Sequence, residues 1–415
     1  MEAVACDRQT PCSRRAFLAA SCVGTLGLLR PYSALANCAP EDDDPLLLPQ
    51  PTGRVLRVTP GQPLMSLAAT ARAARDGDTI EVESGTYPGD VSSWPQSDLT
   101  IRGIGPRPRL IADGKDAEGK GIMVLKGRRV RIENLEFRGA RVRDRNGAGI
   151  RVEDGPVTVS DCAFLDNENG ILTGNMKTIE IAIEHSIFDG NGNAEGSAHN
   201  LYVGTIASLN VTGCLFAQSR VGHLLKSRAE LNSIRYSRLT GEGATSSYEL
   251  EFPNGGRAIV MGNLIQQGPA TENSTVVSYG AEGYRWPENK LVMVFNTIVN
   301  DRTTGGTFVR VFEGAQMVTL ANNLLVGPGS LSIDSPLESL GNLKVTKKEF
   351  ADPVKFDYRL QPQSSIMGRA GFRGASISDA QTPTREYVHP ASSCPLKGLR
   401  ALTPLSPGAF QSVAR

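Results

Sequence analysis

The middle of the chain repeats. Eight segments, 132–137, 159–164, 183–188, 211–216, 234–239, 260–265, 293–298 and 320–325, each run from an aliphatic residue or Met through a small or polar residue to a final apolar one. Their last members, Phe137, Phe164, Phe188, Phe216, Leu239, Ile265, Ile298 and Leu325, are spaced by 23 to 33 residues. A period of that size, with inward aliphatics alternating with outward polar residues, is one coil of a parallel β-solenoid per repeat. Corners fall at Asn167-Glu168-Asn169-Gly170 and Asp189-Gly190-Asn191-Gly192. No six-residue period is seen, which argues against a left-handed hexapeptide helix. With 44 Gly and only 6% aromatics, the composition suits many turns and thin layers better than a large globular core.

Two places before each final apolar residue, from the second repeat on, stand Cys162, Ser186, Cys214, Ser237, Asn263, Asn296 and Asn323. Small or amide side chains stacked at one bend can hydrogen-bond along the solenoid axis, so these cysteines read as bend residues rather than catalysts. Cys162 and Cys214 lie two coils apart, about twice the ~4.8 Å strand spacing and beyond disulfide reach. Cys38 and Cys394 stand near the two ends of the mature chain, where an oxidising compartment would let them pair.

A solenoid must hide its apolar ends. Residues 55–58 read as a strand and 63–75 as a short helix with Leu64, Leu67, Ala68, Ala71 and Ala74 on one face. A turn at Asp76-Gly77-Asp78, a strand at 79–82 and Gly85-Thr86-Tyr87 follow. This unit resembles the entry cap of right-handed parallel β-helices, the pectate-lyase-like class, and 352–360 resembles that class's closing coil. The resemblance implies an all-β fold, a single-stranded right-handed parallel β-helix over 54–365 with an N-terminal capping helix. Residues 37–53 are then a linker and 366–415 a C-terminal tail that wraps loosely.

The first segment reads as an address. Ser13-Arg14-Arg15-Ala16-Phe17-Leu18 opens an apolar run that ends before Ala34-Leu35-Ala36, the pattern of a twin-arginine signal peptide over 1–36. The run is shorter than the ~20 residues a membrane span needs. The expectation is a periplasmic or secreted protein with no integral membrane segment once mature. With 44 Lys+Arg against 43 Asp+Glu the chain has no basic field for nucleic acid. Solenoids are commonly monomers, and a monomer is expected here.

Three consecutive coils carry unusual outward residues: His199-Asn200-Leu201-Tyr202-Val203, His223-Leu224-Leu225-Lys226-Ser227-Arg228, and Tyr248-Glu249-Leu250-Glu251-Phe252-Pro253-Asn254. With Leu201, Val203, Leu224, Leu250 and Phe252 inward, alternation puts Asn200, Tyr202, His223, Glu249 and Glu251 outward, with Lys226 following its strand into a bend. Coils ~4.8 Å apart would bring these side chains within reach of one bound sugar. The next coil adds Tyr279-Gly280-Ala281-Glu282-Gly283-Tyr284-Arg285-Trp286, a loop suited to stacking on a sugar. Lys226, Arg228, His223, Tyr202 and Glu251 are therefore candidate catalytic residues, and His199, Asn200, Glu249, Asn254, Tyr279, Arg285 and Trp286 candidate substrate contacts.

The stretch from Leu224-Leu225-Lys226-Ser227-Arg228 to Ser233-Ile234-Arg235-Tyr236 resembles the Lys-Ser segment of the polysaccharide lyases that include chondroitinase B and the β-helical alginate lyases. The resemblance spans about three coils. It implies that Lys226 is the Brønsted base and that the substrate is an acidic polysaccharide or oligosaccharide. The family's catalytic Arg falls near the position held here by Glu251, and its acidic calcium ligands fall where this chain has Gly222-His223. No cofactor is therefore expected, and calcium is implied only by the family.

β-Elimination on a uronate needs a cation to neutralise the sugar carboxylate, a base for the C5 proton and an acid for the leaving oxygen. Arg228 and His223 suit the first role, Lys226 the second, and Tyr202 or His199 the third, with Glu251 holding Lys226 or Arg228. Two other readings stay open. Glu249 and Glu251, about 6.5 Å apart along one strand face, have the chemistry of a glycosidase pair. The same face could also bind polysaccharide without turnover.

Overall fold

The computed structural model describes residues 48–271, 273–371, 381–398 and 404–412. The expected export signal and most of the expected linker lie outside the described residues. Three parallel sheets of 12, 10 and 11 strands run the length of the repeat region. Each coil contributes one strand to each: for example Ser208–Thr212 to the 12-stranded sheet, Leu215–Ala217 to the 11-stranded sheet and Leu225–Ser227 to the 10-stranded sheet. Within these sheets every strand pairs in parallel with its counterpart one coil away, as expected of a right-handed parallel β-helix. Among the described residues no helix is long and apolar enough to cross a membrane.

The repeat read from the sequence is a physical column. Phe137, Phe164, Phe188, Phe216, Leu239, Ile265, Ile298 and Leu325 are consecutive register partners down the 11-stranded sheet. The four phenylalanines stack nearly parallel, with centroids 5.1, 4.6 and 4.7 Å apart. Such pairs add about 0.5–1.5 kcal/mol each beyond the area they bury.

The bend column forms a hydrogen-bond ladder. The backbone N–H of Ser237 donates to Asn263 Oδ1 (2.9 Å), that of Asn263 to Asn296 Oδ1 (3.0 Å) and that of Asn296 to Asn323 Oδ1 (2.9 Å). The amide groups donate in turn to Ile234, Val260 and Met293 carbonyls on the preceding coil. Parallel strands leave the bends without ladder partners, and one amide per coil both donates and accepts there. Cys162 and Cys214 belong to the upper part of this column, where their backbone N–H groups bond Ser186 and Ser237 hydroxyls at 3.1 Å. Both are buried and free, and burial pushes the Cys162 thiol up to about 12.

The ends depart from the expectation in detail. The capping helix is shorter, Leu67–Ala73, preceded by a 3-10 turn at Pro63–Met65. Its N-terminus is capped by the Ser66 hydroxyl and by the Asp90 carboxylate, which accepts from the Leu67 and Ala68 N–H groups at 2.7 and 3.0 Å. Leu67 and Ala71 enter the core, whereas Leu64, on the turn, is 93% exposed. The described parts of 366–415 are tied down rather than loose. A hairpin of Arg385–Val388 and Ser392–Pro395 buries Tyr387, and Gly408 and Ala409 bond Asn322 O and Thr297 Oγ1. Cys394 is disulfide-bonded, and its expected partner Cys38 lies outside the described residues.

Candidate functional site

The 10-stranded sheet carries the site. Its strands Leu201–Val203, Leu225–Ser227 and Leu250–Phe252 are stacked in register, Leu201 on Leu225 on Leu250 pointing inward. Alternation then sets Tyr202, Lys226 and Glu251 in one outward column on successive coils. The second strand starts at Leu225 and includes Lys226, which therefore stands on the strand itself and not in the bend after it.

Ion pairs knit this column. Lys226 Nζ lies 3.1 Å from Glu251 Oε2 and 3.2 Å from Glu282 Oε1. His223 Nε2 lies 3.1 Å from the same Glu251 oxygen. Arg228, just past the strand, donates from Nη1 to Glu282 Oε2 (2.6 Å) and Asn254 Oδ1 (2.6 Å), from Nη2 to Glu282 Oε1 (2.9 Å), and from Nε to the Tyr202 oxygen (3.2 Å). Because the Tyr202 oxygen accepts from Arg228, its own proton is free for another acceptor.

The charges follow from these contacts. The Arg228 hydrogen bonds hold Glu282 down to about 2, against the modest opposing effect of burial. Burial pushes Glu251 up, but His223 and Lys226 together outweigh it and leave the group below its usual range. Burial lowers Arg228, yet Glu282 and Tyr202 raise it further, so the guanidinium stays charged. Burial also lowers His223, partly offset by Glu251. His199 falls well below the imidazole range through burial and the nearby His223, Lys226 and Arg228.

Several expected contacts take other roles. His199 is buried, stacked on His223 at 4.5 Å and edge-on to Tyr202 at 5.1 Å, and its Nδ1 accepts from the His223 backbone N–H. It is a neutral prop under the site rather than an acid facing the groove. Asn200 points inward, accepting from Asn191 N–H and donating to Ala217 O, because the strand begins only at Leu201 and alternation does not reach into the bend. Glu249 is likewise inward and wholly buried, bonded to the Ser246 hydroxyl and the Gln267 amide. Burial raises it well above the carboxylate range. The Glu249/Glu251 glycosidase pair is therefore not formed.

On the next coil, Tyr279 is a core residue whose hydroxyl donates to Gly256 O. Asn254 is buried behind Arg228, which it binds. Trp286 is 7% exposed with its Nε1 on the Arg228 carbonyl, so it packs under the arginine loop and presents no free stacking face. Arg285 is exposed on the same loop, its backbone N–H on Asn254 O. Glu282 was not among the expected site residues, although an acid set between Ala281 and Gly283 in a loop beside the patch was a usable signal. The calcium implied by the resemblance does not fit. That ion wants six to eight oxygens, and both carboxylates here already embrace cationic side chains. Among the described residues no three His, Cys, Asp or Glu side chains gather as a metal-holding group.

A cleft elsewhere, of about 600 Å³ beside Asp301, Arg302 and Lys347, is chemically plainer. The outward cluster of Tyr202, Lys226 and Arg228 is what distinguishes this face from the repeating coils around it. In three dimensions the chain is similar to pectate lyase Pel9A, at 14% identity over 87% of this chain and 97% of that one, with a TM-score of 0.51. It is also similar to an alginate lyase from Paenibacillus sp. str. FPU-7, at 16% identity over 68% and 99%, also with a TM-score of 0.51. At such identities the likeness speaks for the fold. No protein-family model and no curated protein sequence matches the chain.

Proposed function

We propose that the protein is an exported polysaccharide lyase that cleaves uronic-acid chains by β-elimination. The observation that carries the reading is the convergence of a lysine, a tyrosine and an arginine on one outward face, from coils that are neighbours only because the chain is coiled. The fold is one that pectate and alginate lyases also use. Arg228 pairs with the sugar carboxylate, which makes the C5 proton acidic. Lys226 Nζ, as free amine, takes that proton. The C5–H electron pair becomes the C4=C5 double bond, the C4–O4 bond breaks, and O4 takes the phenolic proton of Tyr202. Solvent then removes the proton from Lys226 and restores that of Tyr202. Glu251, clamped by His223, fixes the position of Lys226.

Export through the Arg14-Arg15 signal, with a monomeric mature chain, completes the proposal. The test is a screen of the mature protein against uronic-acid polysaccharides, read as the ultraviolet absorbance of the unsaturated product. Wild type is expected to generate the chromophore and Lys226→Ala to lose it. Cleavage without chromophore would replace elimination by hydrolysis, and tight binding without cleavage would make the face a carbohydrate receptor.

A further inference from the structure

Unlike Lys226 and Glu251, which stand on sheet strands, Glu282 comes from a turn outside the sheet. The turn follows the strand Thr275–Tyr279, with Gly280 and Gly283 at φ of 86° and 81°. Its backbone is anchored: Glu282 N–H donates to Pro253 O at 2.9 Å and Gly283 N–H to Gly280 O at 3.1 Å. From there the carboxylate accepts two hydrogen bonds from Arg228 and one from Lys226. A forked guanidinium beside an ammonium is a receptor for a carboxylate, and the chain fills it with one of its own. The Lys226 and Arg228 side chains are only 13% and 17% exposed, while Glu282, lying over them, is 42% exposed. The covering group is thus the one that faces solvent, and its side chain can rotate away while the turn stays fixed.

We infer that Glu282 is an internal surrogate for the substrate carboxylate, and that a uronate binds by evicting it from Lys226 and Arg228. This deepens the elimination reading and rests on it for the identity of the ligand. Eviction by a carboxylate exchanges one set of charge-assisted hydrogen bonds for another. Eviction by a neutral sugar would leave the largely covered Arg228 without an anion and Lys226 with Glu251 alone, which is costly. Glu282 therefore makes negative charge the condition of entry, at the expense of affinity for every acidic ligand.

The test is calorimetric binding of galacturonate, mannuronate, guluronate and glucuronate trisaccharides, and of their carboxyl-reduced neutral counterparts, to wild type, Glu282→Gln and Glu282→Ala, with polymer cleavage assayed in parallel. The expected result is about tenfold tighter binding of the preferred acidic trisaccharide by both variants, with the neutral sugars weak throughout. Unchanged or weaker acidic binding in the variants overturns the inference, even where wild type produces unsaturated product. Tightened binding with no unsaturated product from any protein keeps the surrogate and removes the elimination reading. Binding of no acidic trisaccharide by any of the three proteins overturns both.

Discussion

Two stacks of polar side chains run along this solenoid, and they are built on opposite rules. In the bend ladder the same residue recurs, Asn263 on Asn296 on Asn323, and each amide satisfies the next. In the outward stack no residue recurs: Tyr202, Lys226 and Glu251 follow one another on successive coils. The first stack is buried and closed on itself. The second is tied sideways, by Arg228, His223 and Glu282, to groups outside its own column. Repetition on this β-helix marks what holds the coils together, and the loss of repetition marks the face proposed to be reactive.

The comparison can be broken at either stack. Lys226→Ala should lower unsaturated-product formation by about a thousandfold, the scale of a lost acid–base group, with the urea midpoint moving less than in any ladder variant. Tyr202→Phe should cost about a hundredfold in kcat, and a bell-shaped pH profile should lose one limb. Asn296→Ala should leave turnover per folded molecule unchanged but destabilise the chain by about 2–3 kcal/mol in urea titration, since it orphans buried donors on Asn263. A ladder variant that abolished turnover without loss of stability would erase the distinction.

The smallest effect belongs to Glu249, the carboxyl that lies in neither stack. Its folded-state pKa is raised by burial, so it opposes folding increasingly as pH rises above the ordinary carboxylate value near ~4.3. Glu249→Gln should therefore gain about 1 kcal/mol at neutral pH, gain little or nothing near pH 4, and flatten the profile between. Equal effects at both pH values would show that the carboxyl is not neutral in the folded chain.

Much of this was legible in the residues because period and alternation act directly on the backbone. The column from Phe137 to Leu325 follows from spacing alone, and Tyr202 and Glu251 follow from the apolar residues that flank them. Alternation fails where strands end. Asn200 and Glu249 each stand one residue before a strand, at a bend whose backbone turns the side chain inward. His199 was misread because nothing local indicates that His223 stacks on it. Glu282 acts across 54 and 56 positions of chain, on Arg228 and Lys226, through a turn whose reach is set by the coil beneath it.

Each strand of the three sheets pairs only with strands one coil above or below it, which makes extent and chemistry separable in this molecule. A coil inserted or removed beyond Thr307–Val311 would change the length of the solenoid by one strand spacing, about 4.8 Å, without altering the order Tyr202, Lys226, Glu251. The number of coils can therefore change the length of the outer face while the proposed reacting groups stay where they are.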